Sequence, residues 1–253
     1  MHTRDLLSDL DRAIPFSGAE DWDPVGLQIG GKDRSIGKVA VCHEVTESVV
    51  ATVEGSGFRT IVAYHPLLFN PTTSLTDGPT PEGRALRIAQ AGVSVIVVHT
   101  AFDAAQPGTG DALANSLGLT VVDSFGGSSD GFGIGRIVVP DRALAATELG
   151  DLVRERLAAS VRVADSHRPI ERIALVPGSG ASLIDEAIDV ADALVTGDVS
   201  HHRARYAADG GLSIIDAGHA ATERPGVEAL YAVVSSITDE AVLLDDDPTP
   251  WRD

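Results

Sequence analysis

The stretch Val93-Ser94-Val95-Ile96-Val97-Val98, followed directly by His99-Thr100-Ala101-Phe102-Asp103, decides the predicted fold. Its run of apolar, mostly β-branched residues is typical of a strand that is buried on both faces. The same pattern recurs in Thr60-Ile61-Val62-Ala63-Tyr64, which ends at His65-Pro66, and Lys38 to His43 predicts another short strand. Three such strands favour a sheet at the centre of the fold rather than a surface ribbon.

Predicted helices alternate with these strands. The spacing of apolar residues predicts a helix from Thr3 to Ala13, and Thr46 is a predicted cap for a helix from Glu47 to about Gly55. A further helix is predicted from Arg84 to Ala91, and Asp21 to Gly30 is predicted as a loop. Alternation of this kind indicates an α/β fold with a largely parallel sheet covered on both faces.

The middle of the chain predicts a second, smaller α/β unit. Its strands and helices are Arg136–Val139, Ala143–Ala158, Ile173–Val176, Leu183–Val190, Ala193–Gly197 and Ser213–Gly218. We expect lobe 1 at residues 1–125 and lobe 2 at 126–212, with the segment of about 213–253 packing back on lobe 1. A glycine-rich junction at Gly126–Gly135 and a frayed acidic tail at Asp245–Asp253 complete this prediction.

Composition narrows the classes of function. The chain has 253 residues, of which 43% are hydrophobic, and its formal net charge is −18, from 37 acidic and 19 basic residues. That charge opposes general binding to nucleic acids or acidic membranes. Lys32 and Lys38 are the only lysines. An acidic composition with so little lysine is typical of proteins from a salt-loaded cytoplasm, and a GC-rich genome that favours Arg and Asp codons explains it equally well.

Localisation is predicted to be cytoplasmic. No apolar stretch is long enough to cross a bilayer, and Met1 to Asp5 shows no basic-then-apolar leader pattern. Cys42 is the only cysteine, so an intrachain disulfide and a thiolate metal cluster are both excluded. Cys42 itself lies inside a predicted strand and is expected in the core.

Imidazole and carboxylate side chains recur just after apolar runs. His65 follows one run, His99 and Asp103 follow a second, and His219 and Glu223 follow a third. In open α/β sheets ligands bind where the carboxyl ends of strands converge. These five residues are therefore the candidate site.

Their spacing favours metal binding. His219 and Glu223 are four residues apart and share one face if the segment is helical, whereas Pro107 and Gly108 suggest a loop around His99 and Asp103. Imidazole and carboxylate ligands suit zinc, iron, manganese or nickel. We expect a catalytic site that leaves positions open for water.

Other interpretations stay open for single residues. A lone histidine after a strand is more often a hydrogen-bonded structural residue than a ligand. His201 and His202 are expected to begin a helix near the site, and Gly178-Ser179-Gly180 is expected to be a tight turn. Three histidines are interpreted as ordinary surface or loop residues: His2, His43 and His167.

Taken together these segments resemble the Nif-three-like dinuclear metal centre family, whose bacterial members are called GTP cyclohydrolase 1 type 2 homologues. The blocks that support the resemblance occur in family order and span most of the chain. They are Trp22–Gly30, Tyr64–Phe69, His99–Ala105, Asp111–Ala114, Thr196–His202 and Asp216–Glu223.

The resemblance implies two similar α/β lobes with two bridged divalent metals between them, and a ring-shaped homohexamer. His65, Asp103, His219 and Glu223 match family ligands. Tyr64 stands where the common pattern has the first histidine of a pair, and we expect it to donate a hydrogen bond rather than to ligate. The prediction is one firm metal and one weaker metal.

The predicted function is a metal-dependent hydrolase that acts on an unidentified small molecule. His99 or His201 would orient water or move a proton beside the metal. The alternative is a non-catalytic ring that serves as a metal-binding scaffold or metal carrier. Threading of nucleic acid through the ring is disfavoured by the net charge of −18.

Overall fold

Strands and helices alternate along the chain as predicted. The computed structural model describes residues 1–127, 133–244 and 250. The predicted junction at Gly126–Gly135 lies partly outside these residues, and the predicted tail at Asp245–Asp253 lies outside them except for residue 250. The α-helices are α1 (Thr3–Ala13), α2 (Glu47–Val53), α3 (Pro81–Gln90), α4 (His99–Ala104), α5 (Thr109–Leu117), α6 (Ala146–Leu157), α7 (Ile184–Val190), α8 (His201–Asp209) and α9 (His219–Ile237).

The strands form two sheets. They are β1 (Gly26–Ile29), β2 (Lys38–Cys42), β3 (Phe58–Ala63), β4 (Ser94–Val97), β5 (Val121–Gly127), β6 (Gly133–Val138), β7 (Arg162–Ala164), β8 (Ile173–Leu175), β9 (Ala193–Thr196), β10 (Ser213–Asp216) and β11 (Ala241–Leu243). The fold is therefore mixed α/β, as the sequence predicts.

The chain divides into two units. Unit 1 comprises Met1–Phe102 and Val227–Asp253, and unit 2 comprises Asp103–Gly226. The domain boundaries proposed from the sequence, 1–125 and 126–212 with the segment of about 213–253 packing back, stay a prediction.

Unit 1 contains a five-stranded sheet in the order β1-β4-β3-β2-β11. All its pairs are parallel except β1 with β4, so the prediction of a largely parallel sheet is confirmed for this unit. β1 corrects the prediction of a loop from Asp21 to Gly30. This edge strand has only four residues and no apolar run, so its pairing with β4 is its main determinant.

Apolar residues of α2 and α3 pack against the unit 1 sheet. Thr46 caps α2, because its Oγ1 accepts a hydrogen bond of 3.2 Å from the backbone N–H of Val49. The core cluster includes Val49, Val50, Val53, Ile61, Ala85, Ile88 and Val95.

Unit 2 contains a six-stranded sheet in the order β5-β6-β8-β9-β10-β7. Only β8–β9 and β9–β10 are parallel, whereas β5–β6, β6–β8 and β10–β7 are antiparallel. The largely parallel sheet predicted from the first part of the chain therefore does not extend to this unit, although the predicted second α/β unit is present. Apolar content alone reveals a buried strand but not the direction of its neighbours.

Helices cover both faces of the unit 2 sheet. On one face Leu113 and Leu117 of α5 and Leu149 and Val153 of α6 join one buried cluster. On the other face Ile184 of α7 and Ala207 of α8 join a second cluster. Among the residues that the structure describes, no helix combines the length and apolarity needed to span a membrane.

Candidate functional site

Three histidines meet at the carboxyl end of the unit 1 sheet. β2, β3 and β4 are parallel, and their last residues pair in register as Cys42 with Ala63 and Ala63 with Val97. Backbone hydrogen bonds continue beyond the strands, from His65 N–H to the carbonyl of His43 (2.9 Å) and from His99 N–H to the carbonyl of Tyr64 (3.0 Å). In-register strand ends therefore bring these polar residues together.

The side chains form an aromatic cluster. The ring centroid of His65 lies 4.8 Å from that of His43, 4.8 Å from that of Tyr64 and 5.0 Å from that of His99. Tyr64 is 1% exposed and stacks on His43 with an interplanar angle of 17°. Unit 1 thus supplies three imidazoles and one phenol in one place.

His43 corrects a prediction from the sequence. The sequence predicts an ordinary surface or loop residue at this position, yet His43 is buried and lies against His65. The signal was present, because His43 follows an apolar run in the same way as His65 and His99. Its position at the end of β2, next to β3, is what makes it a candidate ligand.

Asp23 fixes the orientation of His99. Its Oδ1 lies 2.9 Å from Nδ1 of His99, and its Oδ2 accepts hydrogen bonds from the Thr100 hydroxyl and the Thr100 N–H, the latter 3.0 Å long. Burial raises the pKa of Asp23, but the hydrogen bonds from His99 and Thr100 outweigh it and leave the pKa below its ordinary value of 3.8. Asp23 is therefore a buried carboxylate, a role that the sequence did not assign.

The backbone of His99 is strained. Its φ is 28°, in the left-handed region that residues other than glycine rarely adopt. Strain of this kind is retained where the surroundings fix a functional conformation. Here the hydrogen bonds of Asp23 to the His99 ring and to Thr100 provide that fixation.

Unit 2 brings His219 and Glu223 together on α9. Their Nε2 and Oε2 atoms are 3.1 Å apart, which confirms that the four-residue spacing places both on one helix face. Nδ1 of His219 lies 2.8 Å from Oδ2 of Asp198. The hydrogen bond to Glu223 raises the pKa of His219 to about 9, against the lowering effect of burial and with the help of Asp198.

A tight turn at Gly178 packs closely against His219 and Glu223. Gly178 lies in the left-handed region with φ of 72°, and its N–H donates a 2.9 Å hydrogen bond to Oγ1 of Thr222. A Cβ at Gly178 would lie 2.1 Å from Oε1 of Glu223. The expected turn is therefore present, and glycine is required where the backbone approaches the buried carboxylate.

Asp103 lies on a helix, which corrects the prediction of a loop. α4 begins at His99 and ends at Ala104, before Pro107 and Gly108. The Oδ1 of Asp103 accepts a hydrogen bond from the hydroxyl of Thr109. Proline and glycine mark the end of this short helix rather than its absence.

His201 begins α8, as the sequence predicts. Ser200 caps the helix through a 3.4 Å hydrogen bond from the N–H of Arg203. His201 is exposed, and its ring centroid lies 5.4 Å from that of His202. Its role as a proton carrier stays a prediction.

Comparison with known proteins gives consistent results. The family Duf34/NIF3 (NGG1p interacting factor 3) matches residues 1–248. A Streptomyces coelicolor protein named GTP cyclohydrolase 1 type 2 homolog is 32% identical, over 93% of this chain and 86% of its own. A Helicobacter pylori protein named GTP cyclohydrolase 1 type 2 is 31% identical, over 87% and 86% of the two chains.

A solved structure shares the fold. The crystal structure of a Staphylococcus aureus hypothetical protein superposes with a TM-score of 0.89 at 26% identity. The match covers 100% of this chain and 99% of that one.

Proposed function

Because the chain belongs to the DUF34/NIF3 family, as the match over residues 1–248 shows, we propose that it binds divalent metal and acts as a metal-dependent hydrolase. The observation that supports the proposal most is the gathering of donor groups. His43, His65 and His99 cluster in unit 1, and His219 and Glu223 pair in unit 2. Such sets of imidazole and carboxylate are costly to assemble without a ligand, because each group loses hydration.

The donor chemistry fits a transition metal. We propose His65, Asp103, His219 and Glu223 as ligands, as the resemblance to the family implies. We add His43, an imidazole that the sequence missed, because it is grouped with His65 and Glu223 as a potential ligand. Nitrogen and carboxylate donors without thiolate suit zinc, iron, manganese or nickel. When bound, such an ion supplies Lewis-acid polarisation and lowers the pKa of water.

Tyr64 is expected to lower the affinity for a second metal ion. It stands at the position where the family resemblance leads us to expect a histidine, and its ring is packed among His43, His65 and His99. A neutral phenol is a poorer ligand than an imidazole for these ions. We therefore propose one firmly bound metal and a second that binds weakly.

His99 is the proposed proton carrier. A carboxylate on one imidazole nitrogen selects the tautomer that carries its proton there. With Asp23 on Nδ1, Nε2 of His99 becomes the atom that accepts a proton from water or substrate. His201 is a second candidate, at the exposed start of α8.

The names of relatives suggest where to begin with substrates. The Helicobacter pylori relative is named for a GTP cyclohydrolase activity, and we propose hydrolysis of a carbon–nitrogen bond in a small cyclic molecule as the reaction class. A ring-shaped homohexamer in the cytoplasm is the proposed form. A non-catalytic metal-binding scaffold or carrier is the alternative that substrate turnover would exclude.

Metal content tests the proposal. Wild type, Glu223→Gln and the control Glu186→Gln, an exposed carboxylate of the same unit, are purified without chelator or affinity metal and analysed for bound elements. We expect metal in wild type and control, and loss of it in Glu223→Gln with an unchanged circular dichroism spectrum. Absence of metal from all three, with no binding of added zinc or manganese, would overturn the proposal.

A further inference from the structure

Two aromatic side chains stand exposed next to the histidine cluster of unit 1. Trp22 is 58% exposed and Phe69 is 50% exposed. Their ring centroids are 5.6 Å apart, with the ring planes inclined at 45°. Exposed apolar side chains that are grouped in this way mark a binding surface more often than isolated ones do.

Both rings lie near His99. Its ring centroid is 6.1 Å from that of Trp22 and 6.2 Å from that of Phe69, with interplanar angles of 73° and 75°. The plane of the His99 ring is thus roughly perpendicular to both aromatic rings. The same imidazole that we propose as proton carrier therefore borders this aromatic pair.

Gln28 joins the two loops that bear the aromatic residues. Its side-chain NH₂ donates to the carbonyls of Pro24 (3.1 Å) and Leu68 (3.0 Å). Its Oε1 accepts from the N–H groups of Leu67 and Leu68, each at 3.1 Å. These four bonds use the full capacity of the amide, so they fix the loop after Trp22 relative to the loop before Phe69.

The next residue, Asp23, also holds the backbone at Trp22 in place. Asp23 is buried and bonded to His99 and Thr100, so the backbone at Trp22 is tied to the start of α4. An exposed pair held in this way loses little conformational entropy when a ligand binds. The hydrogen bonds thus hold the backbone that carries both aromatic residues, and the two rings contact each other.

We propose that Trp22 and Phe69 bind a planar, nitrogen-containing aromatic ring and present it to His99. Aromatic side chains hold flat rings by stacking and tolerate many ring types. Nε2 of His99, the acceptor nitrogen when Nδ1 donates to Asp23, can accept a hydrogen bond from a ring N–H. The ligand class is an uncharged heterocycle such as a purine nucleoside, because the net charge of −18 opposes polyphosphates. Only one part of this proposal rests on the proposed hydrolase function, namely that the bound ring belongs to the substrate.

Fluorescence can test ring binding directly. The chain has two tryptophans, Trp22 and Trp251, so Trp251→Phe leaves Trp22 as the sole reporter. This protein, purified without chelator, is titrated with inosine and, as a non-aromatic control, with ribose. We expect saturable quenching by inosine and none by ribose. Inosine triphosphate should also quench, but with a higher dissociation constant than inosine.

Matched variants locate the site. In the same background Phe69→Ala should weaken inosine binding about tenfold, and Gln28→Ala should weaken it although both rings remain. Tyr206→Ala removes another exposed aromatic side chain, in unit 2, and should leave the dissociation constant unchanged. Equal effects of Phe69→Ala and Tyr206→Ala, or no saturable quenching, would overturn the proposal.

Two further outcomes separate this proposal from others. If Phe69→Ala changes the sedimentation mass and not the quenching, the pair is a contact between copies of the chain and the proposal fails. Glu223→Gln separates the ring-binding proposal from the metal-dependent hydrolase. If this variant loses metal but inosine still quenches Trp22, ring binding is supported and does not depend on the metal site. Metal binding without quenching overturns ring recognition and leaves the metal proposal intact.

Discussion

Nδ1 of His219 lies 2.8 Å from Oδ2 of Asp198, and Asp198 itself has a φ of 58°. Aspartate tolerates this left-handed conformation better than most residues because its short side chain can bond locally. A carboxylate on one nitrogen of an imidazole orients the ring and makes the other nitrogen a better ligand. Asp198 is therefore a positioning residue for His219.

Replacing Asp198 should weaken metal binding. We expect Asp198→Ala to lower the affinity for zinc about 10–100-fold, and Asp198→Asn to lower it less, because asparagine keeps a hydrogen-bonding oxygen. Isothermal titration calorimetry of the metal-free proteins gives both constants. Asp209→Ala, at an exposed aspartate of the same unit, is the control. Equal affinities of Asp198→Ala and Asp209→Ala would contradict the positioning role.

Gly178 and Gly118 form a matched pair for a stability experiment. Both have φ of 72°, but a Cβ at Gly178 would lie 2.1 Å from Glu223, whereas one at Gly118 would meet only Arg156 at 3.9 Å. Gly118→Ala should cost about 1–2 kcal/mol from backbone strain alone. We expect Gly178→Ala to cost more and also to lower metal content. Urea denaturation measures the difference, and equal costs would show that the Glu223 carboxylate moves aside freely.

The fold and half of the candidate site follow from simple patterns. His65 and His99 were predicted together because each ends an apolar run, and in-register parallel strands place such residues side by side. His43 obeys the same rule, because it follows the apolar run of β2 directly. Its position at a strand end is therefore the sequence signal that identifies it.

Other parts depend on contacts between distant segments. Asp23 reaches His99 across 76 residues, and Gln28 reaches Leu68 across 40. Neither contact has a local signal, since periodicity reports only which face of an element is buried. The direction of the strands in the unit 2 sheet cannot be predicted from the sequence for the same reason. Such contacts fix the orientation of the histidines, whereas the sequence predicts only their presence.

Asp23 should make stability depend on pH in the acid range. Its folded-state pKa is lower than 3.8, so its contribution is complete above the unfolded value and is lost as the pH falls through the folded value. Asp23→Asn should lower Tm near neutral pH, by an amount that corresponds to about 1–3 kcal/mol. The gap in Tm between wild type and variant should narrow below about pH 4.

Thermal unfolding followed by circular dichroism between acid and neutral pH measures that gap. Asp21→Asn, at the exposed neighbouring aspartate, is the control and should give a nearly constant, small difference from wild type. A gap for Asp23→Asn that stays constant down to the most acid point would show that the Asp23 carboxylate is not ionised in the folded protein.

Tyr64 should determine how much metal the protein retains. Its ring lies 4.8 Å from His65 and stacks on His43, so an imidazole at this position would join the existing cluster. After dialysis with zinc, we expect wild type and Tyr64→Phe to keep about one equivalent, and Tyr64→His to approach about two. Elemental analysis counts the ions. Two full equivalents in wild type that fall in Tyr64→Phe would mean that the phenol ligates, since phenylalanine differs from tyrosine only in the missing oxygen.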